Sequence, residues 1–521
     1  MKKIQELQQI KGDAYDYYTA GSKDAELFEK IFLVDEIVDE IGKPDKYFLI
    51  GEKGSGKTAY SVYMSKSQSI DCFCSISLVE NTLYQRFYNM KKQKALELSS
   101  YKDIWINLIY LILAENIRRE YGDKTLFGNL KYMQLSKAID AFYSDAFKPE
   151  FINAFEFIDN ASSSINTMVE MGVFSAGGKA DAGKTQKYVE QSYQVSLLKI
   201  RDGFEKAFQN ITLKKQTILF IDGIDARPRE IDSAQYFECL VGLVNAVLEM
   251  NQSFLQEKNI KIMLLIRPDI MYKMPVHNMN QKLRNNSVLL NWVTTYRKYV
   301  QSKLFKIADD YFMKQQDAAY SLGECWNSYF PYQIEYQQEG KKPDNPFVEF
   351  LRYSLYKPRD ILTMLNEMVE ATKGQSFSHS DFEAMLENYS IYLKGELKDY
   401  MLIYMDDTDY NNFIIFFDYF QGLRNFNYKT FEEKHLEYVK YLRDLGRNIP
   451  PFMDTASEAL QLLYDTNIIC YRTQEVLESG RKKTKMFWSY KERNYANMQP
   501  EVQKGGQYSF HMAYAKAFRL I

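Results

Sequence analysis

The strongest constraint on this chain is the run from Lys46 to Thr58, Lys-Tyr-Phe-Leu-Ile-Gly-Glu-Lys-Gly-Ser-Gly-Lys-Thr. Tyr47–Ile50 is a short apolar stretch suited to a buried strand, and Ala59–Ser65 can begin a helix. Between them, Gly51–Thr58 fits G-x-x-x-x-G-K-S/T. A strand that feeds a glycine turn into a helix lets backbone N–H groups converge with no Cβ in the way, at the positive end of a helix dipole. That arrangement suits phosphate. Lys57 supplies a compact cation for β- and γ-phosphates, and Thr58 a hydroxyl for Mg2+. Gly51, Lys53, Gly54, Ser55, Gly56, Lys57, Thr58 and Ala59 are therefore the candidate nucleotide-binding residues.

At 521 residues the chain exceeds one ordinary core, and two or three domains are expected. A net charge of −2 gives no global pull toward nucleic acid or anionic membrane, so any such binding must come from a local patch. The five cysteines form no C-x-x-C pair and the four histidines are far apart in sequence. This argues against a zinc site or disulfide framework and for a reducing cytoplasm. Met1–Tyr18 lacks the apolar core of a signal peptide, and the longest apolar runs are too short to span a bilayer. A cytoplasmic protein with no membrane partner is the expectation.

Taken in order, residues 1–20 read as a lead-in helix and Asp24–Ile41 as an amphipathic helix. Ile70–Leu78 reads as a second strand, with Cys72 and Cys74 on one face as small core residues. Residues 84–215 read as a mainly helical insertion. Gly178–Thr185 within it repeats the glycine-loop pattern, but no strand precedes it, and it reads as a flexible loop. Ile218–Ile221 is a continuous apolar run, as a central parallel strand requires, and Asp222 ends it where a carboxylate can hold a Mg2+ shell; Asp225 follows at i+3. Ile260–Ile266 is another such strand, with Arg267 at its C-terminal end, placed to sense a γ-phosphate. Val288–Leu290 reads as a fifth strand and Trp292–Ile307 as the helix after it. With five strands expected near 46–50, 70–78, 217–222, 260–266 and 287–291, an extra strand lies in sequence between the glycine loop and the acid strand; this α/β arrangement resembles the P-loop class with an inserted strand, which simple kinase-like folds lack.

Beyond the sheet, Pro358 suits a helix first turn, and Arg359 beside it can reach back over a bound nucleotide. Ala456–Asp465 reads as a helix, and Ile468–Thr473 and Met486–Tyr490 as strands flanking the basic run Arg481, Lys482, Lys483 and Lys485. A helix and hairpin of this kind is the wing half of a winged helix, and its basic turn could contact duplex DNA. Expected boundaries are a nucleotide core over 1–307, a helical lid over 308–395 and a winged-helix-like unit over 396–521.

The loop at Gly51–Thr58, the acid motif Asp222-Gly223-Ile224-Asp225, Arg267 and Lys357-Pro358-Arg359-Asp360 together resemble the AAA+/STAND side of P-loop ATPases, near the KAP-type and origin-recognition-type ATPases. The look is that of bacterial ATPases with a helical insert, a lid and a C-terminal winged helix, many of them linked to anti-phage defence. The resemblance implies ATP and Mg2+ as cofactors, Thr58 and Asp222 at the metal, Lys57 at the phosphates, Arg267 as strand-end sensor, and Arg359 as lid sensor with Pro358 against the base. One departure stands out. Where AAA+ hydrolases carry a glutamate after the acid strand's aspartate, this chain has Gly223, and the D-small-h-D-E motif of STAND proteins ends here in Ala226. Asp225 is left as the candidate for orienting water. The expectation is a slow ATPase used as a conformational switch for self-assembly or for control of a partner effector, read out by Arg267, Arg359 or a neighbouring subunit's counterpart of Arg297. The competing expectation is a DNA-binding ATPase.

Overall fold

The computed structural model describes residues 1–10, 12–19, 23–67, 70–79, 100–121, 132–145, 197–227, 232–275, 278–335, 343–476 and 482–520. The strands β1 (Phe48–Ile50), β2 (Cys72–Leu78), β3 (Gln216–Asp222), β4 (Ile260–Ile266) and β5 (Ser287–Leu289) form a five-stranded sheet in the order β2-β3-β4-β1-β5. Every pairing in it is parallel. β4 is buried along its whole length and β3 from Thr217 onward, as interior parallel strands must be.

The period of two in these strands feeds two cores. Leu49, Ile218, Phe220, Met263 and Leu265 belong to one; Phe48, Leu219, Ile221, Ile262 and Leu264 belong to the other. The first face packs on α1 (Lys57–Lys66) and the second on α2 (Tyr101–Tyr121) and α3 (Ser233–Asn251). α2 and α3 lie against each other, with the Trp105 indole donating to the Cys239 carbonyl at 3.1 Å. Gly242 permits that approach: a Cβ there would stand 2.5 Å from the Tyr101 Cβ. Helices on both faces make this an α/β fold.

Several expected helices differ. Residues 1–20 are not one helix but a 3-10 turn at Ile4–Glu6, an extended stretch and a short helix at Tyr15–Thr19. Two side-chain amides replace the helical bonds in the extended stretch. The Gln8 N–H donates to Gln315 Oε1 at 2.7 Å and Gln315 Nε2 donates to the Gln8 carbonyl at 3.2 Å. Asn366 does the same for Ile10, at 3.2 and 2.6 Å. Asp24–Ile41 is two helices, Lys23–Ile31 and Glu36–Gly42. The break falls at Asp35, whose Oδ1 caps Ile37 N at 3.2 Å while the same carboxylate accepts from Tyr60 at 2.9 Å and Lys303 at 2.7 Å. Trp292–Ile307 is extended through Thr295, a 3-10 turn over Tyr296–Gln301, and then α4 (Lys303–Met313), capped by Ser302.

α5 (Pro358–Ala371) begins with its proline in the first turn, where no N–H is missed, and α6 (His379–Met401) follows. α4 and α6 run through 307/308 and 395/396, where boundaries were expected. In the last part of the chain, β6 (Asn425–Asn427), α7 (Ala456–Asp465), β7 (Ile469–Val476), β8 (Lys482–Phe487) and β9 (Gln507–Phe510) build an antiparallel sheet in the order β6-β9-β7-β8 with a helix beside it. The strand expected over Met486–Tyr490 is displaced: β8 starts at Lys482, and Ser489–Glu492 is a helical turn, held by Asn467 Oδ1 accepting from the Tyr490 N–H at 3.0 Å. Lys482, Lys483 and Lys485 therefore lie within β8, not in a turn. Arg481 and Gly178–Thr185 lie outside the described residues. One apolar core runs from Leu49 and Phe220 through Trp326 and Phe350 to Tyr464 and Phe510. Among the described residues no helix is long and apolar enough to cross a membrane.

Candidate functional site

The loop after β1 has the backbone that its glycines allow. Gly54 and Gly56 have φ of 81° and 95°, a region that side chains with a Cβ rarely enter. A Cβ on Gly54 would also meet the Arg359 Cβ at 3.2 Å. α1 starts at Lys57 with Gly56 as its N-cap and no capping side chain, so its first N–H groups face the cavity end without a side-chain acceptor.

Four predicted residues converge here. Thr58 Oγ1 donates to Asp222 Oδ2 at 2.6 Å, and the Gly223 N–H donates to the other oxygen at 2.8 Å. Lys57 Nζ donates to the carbonyls of Gly51 at 2.9 Å and Glu52 at 3.3 Å, and lies 3.7 Å from Asp225 Oδ2. Asp225 Oδ1 is buried without a hydrogen-bond partner among the described residues, as is Ser55 Oγ. Lys57 and Asp222 are only 6% and 8% exposed. Burial pulls the Lys57 ammonium below its ordinary pKa against the attraction of Asp225 and Asp222. Burial likewise pushes the Asp222 carboxyl up, against the Thr58 hydrogen bond and Lys57. Both groups are thus short of compensating charge, the condition that an added anion and an added cation would relieve.

These residues open onto a cavity of about 790 Å³. Gly54, Gly56, Lys57, Thr58, Asp222 and Asp225 form its polar end. Ile10, Tyr17, Phe28, Phe32, Ile307 and Leu362 form an apolar end. Ala59, Lys53, Pro358 and Arg359 also line it. The Arg359 N–H donates to the Gly54 carbonyl at 3.3 Å, which seats the start of α5 directly on the loop. A cavity of this size with both polar and apolar lining suits a small-molecule ligand.

Arg267 does not reach the cavity. Expected to project into the crevice, it is instead fully buried and outside the cavity wall. A carboxylate two residues away explains this: Arg267 Nε and Nη2 donate to Asp269 at 3.0 and 2.5 Å, and the guanidinium lies 3.8 Å from the Tyr400 ring centre. Although burial alone would raise it, Arg267 and a hydrogen bond from Tyr404 draw the Asp269 carboxyl down to about 2. Arg267 Nη1 remains buried without a partner among the described residues. Gly51 and Ser55, within the loop, are also outside the cavity wall. Arg297 is exposed on the 3-10 turn, away from it.

Four consecutive loop residues are held by distant parts of the chain, of which only Arg359 was expected near the loop. Glu52 pairs with Arg493. Lys53 Nζ lies 2.8 Å from Asp399 and 3.4 Å from Glu396. Gly54 takes the Arg359 N–H, and the Ser55 carbonyl accepts from the Trp292 indole at 2.9 Å. Trp292 had a local signal, an indole just past a strand on the loop's side of the sheet. The acidic pair Glu396 and Asp399, at i+3 spacing on α6, had none. No protein-family model matches this chain, and no curated protein matches it in sequence.

Proposed function

We propose that this chain is a P-loop ATPase that binds ATP–Mg2+, hydrolyses it slowly and uses nucleotide state as a conformational switch for self-assembly or for control of a partner protein. The observation that carries the reading is the convergence of Lys57, Thr58, Asp222 and Asp225 on one cavity at the C-terminal ends of β1 and β3. Open parallel sheets bind ligands at such edges. The sheet order supports the P-loop class with an inserted strand, because β4 stands between the loop strand and the acid strand. The order of helices and strands from Asp407 to Phe487 supports a winged-helix-like unit, though β9 lies between β6 and the β7–β8 hairpin. The AAA+/STAND resemblance adds ATP over other nucleotides, and the place in anti-phage defence is part of the same proposal.

ATP–Mg2+ supplies the transferable phosphoryl group and the divalent charge. Within the chain, the α1 N-terminus and Lys57 would hold phosphate, and Thr58 and Asp222 the metal. Asp225, with one oxygen unpartnered, would orient water. Gly223 leaves the position after Asp222 without a base, which fits slow turnover. The apolar walls around Tyr17, Phe32 and Leu362 would take the base, with Pro358 and Arg359 closing over it.

A DNA-binding ATPase gains less support. α7, in the position of a recognition helix, has the sequence Ala-Ser-Glu-Ala-Leu-Gln-Leu-Leu-Tyr-Asp, with no basic residue. Lys485 is paired with Glu475 at 2.9 Å. The test is the solution mass, by light scattering, of wild type and Lys57→Ala with no nucleotide, ADP or a non-hydrolysable ATP analogue, each with and without duplex DNA. Growth in mass with the analogue alone, lost in Lys57→Ala, is the expected result. Growth only with DNA would replace the switch by the DNA-binding reading.

A further inference from the structure

The polar end of the cavity contains an anion of the protein's own. Glu396, from α6, lies between two cations from adjoining elements: its Oε1 is 3.4 Å from Lys53 Nζ on the loop, and its Oε2 is 3.6 Å from Arg359 Nη1 on α5. Asp399, one turn on, takes Lys53 at 2.8 Å. Lys53, Glu396 and Arg359 are 21%, 22% and 28% exposed, so their attraction is screened less than that of a surface pair. All four side chains line the same cavity as Lys57 and Thr58. The spacing matters too. Tyr392, Glu396 and Asp399 fall on one face of α6, which turns that face into a wall of the cavity.

We propose that Glu396 is a built-in competitor of nucleotide phosphate for Lys53 and Arg359, and that Asp399 assists it. The inference rests on the nucleotide reading above and adds what limits the affinity. A phosphate chain reaching Lys53 and Arg359 must displace a carboxylate already bridging them. Each site cation then exchanges one anion for another, and the net gain from binding is smaller than the count of basic residues suggests. The displaced carboxylate belongs to α6, which continues to Met401 and whose end is tied to the acid loop: Arg227 donates to the Leu402 and Met405 carbonyls at 3.1 Å each. Phosphate charge arriving at the loop thereby releases the Glu396 side chain of α6 from both cations. Because a triphosphate carries more charge than a diphosphate, the competition weighs on the two unequally.

The experiment is equilibrium binding of a non-hydrolysable ATP analogue, of ADP and of inorganic tripolyphosphate, each with Mg2+, to wild type, Glu396→Gln, Asp399→Asn, Arg359→Ala and Arg359→Ala/Glu396→Gln. Glutamine keeps the volume and one acceptor oxygen, and Asp399 is 62% exposed, so both substitutions are mild for the fold. Glu396→Gln is expected to tighten the analogue and tripolyphosphate by about tenfold, the equivalent of one charge-assisted contact, and ADP by less. Asp399→Asn is expected to give a smaller gain, and the gain from Glu396→Gln to shrink in the Arg359→Ala background. Wild type binding all three ligands with affinities that Glu396→Gln leaves within twofold would overturn this inference and leave the ATPase reading standing. No binding of any ligand by either protein would overturn both.

Discussion

The pair between Arg493 and Glu52 predicts a measurable energetic link between the end of the chain and the loop. Arg493 is 5% exposed in its side chain, and besides Glu52 it donates from Nε to the Met498 carbonyl and from Nη2 to Ser489 Oγ, both at 3.0 Å. Replacing it by methionine keeps the stem and removes the guanidinium, which strands the Glu52 carboxylate. Breaking a buried pair this way costs about 3–5 kcal/mol, and because Glu52 is 15% exposed the lower end applies, about 3 kcal/mol. Glu52→Gln leaves the guanidinium its Met498 and Ser489 acceptors and a neutral oxygen at position 52, so no group is left bare and the cost is about 1 kcal/mol. The double variant leaves no stranded charge and should lose about 2 kcal/mol, not the sum of roughly 4. Global unfolding of a chain this long is not a two-state event, so the readout is local: hydrogen exchange of peptides covering 489–498. At tenfold per 1.4 kcal/mol, Arg493→Met should speed exchange by about 150-fold, Glu52→Gln by about fivefold and the double variant by about 30-fold. A double variant near the product of the singles, roughly 750-fold by the same conversion, would refute the pair as the source of the link.

Trp292 holds the loop by its indole, so its fluorescence should respond to nucleotide, and Trp292→Phe should abolish that response while loosening the loop by about 1 kcal/mol, read as weaker nucleotide binding. Gly54→Ala places a Cβ at a φ of 81° and against Arg359, so nucleotide affinity should fall by at least tenfold while the melting temperature moves little; an unchanged affinity would show that the loop tolerates the side chain. Burial pushes the Asp465 carboxyl up to about 7, opposed by Gln461 and Lys273. Its proton is held more tightly in the folded state, so its contribution is fully present below the unfolded value near pH 4 and is lost as pH rises to about 7. Asp465→Asn should therefore flatten the local stability profile across that window and raise local stability at pH 8 by on the order of 1–4 kcal/mol, measured by hydrogen exchange of peptides covering 456–465 at several pH values.

The sheet was readable from sequence because each interior strand is a continuous apolar run with no competing period. The loop was readable because glycine at Gly54 and Gly56, lysine and threonine are needed together. The helix break at Asp35 was hidden, since Phe32, Val34 and Ile37 keep the helical period across it. Only Tyr60 and Lys303, brought close by the fold, fix that carboxylate as a cap. Arg267 is turned from the crevice by a nearer cause: Asp269, two residues on, takes its guanidinium. β9 is four residues of mixed polarity, too short to carry a period, and it strands only because β6 and β7 flank it. The grip on the loop by Glu396, Asp399 and Arg493 bridges more than three hundred residues, a distance over which spacing carries no information.

That grip also sets an order in time. The loop is synthesised well before the residue that pairs with it, because Arg493 stands 441 positions after Glu52. At about 5–20 residues per second, the ribosome needs roughly 20–90 s to deliver it. During that interval Glu52 has no guanidinium, Lys53 waits for α6, and the Ser55 carbonyl waits for Trp292. A nascent chain therefore exposes its loop long before it can close it, and the loop reaches its final hold only once Arg493 has been made.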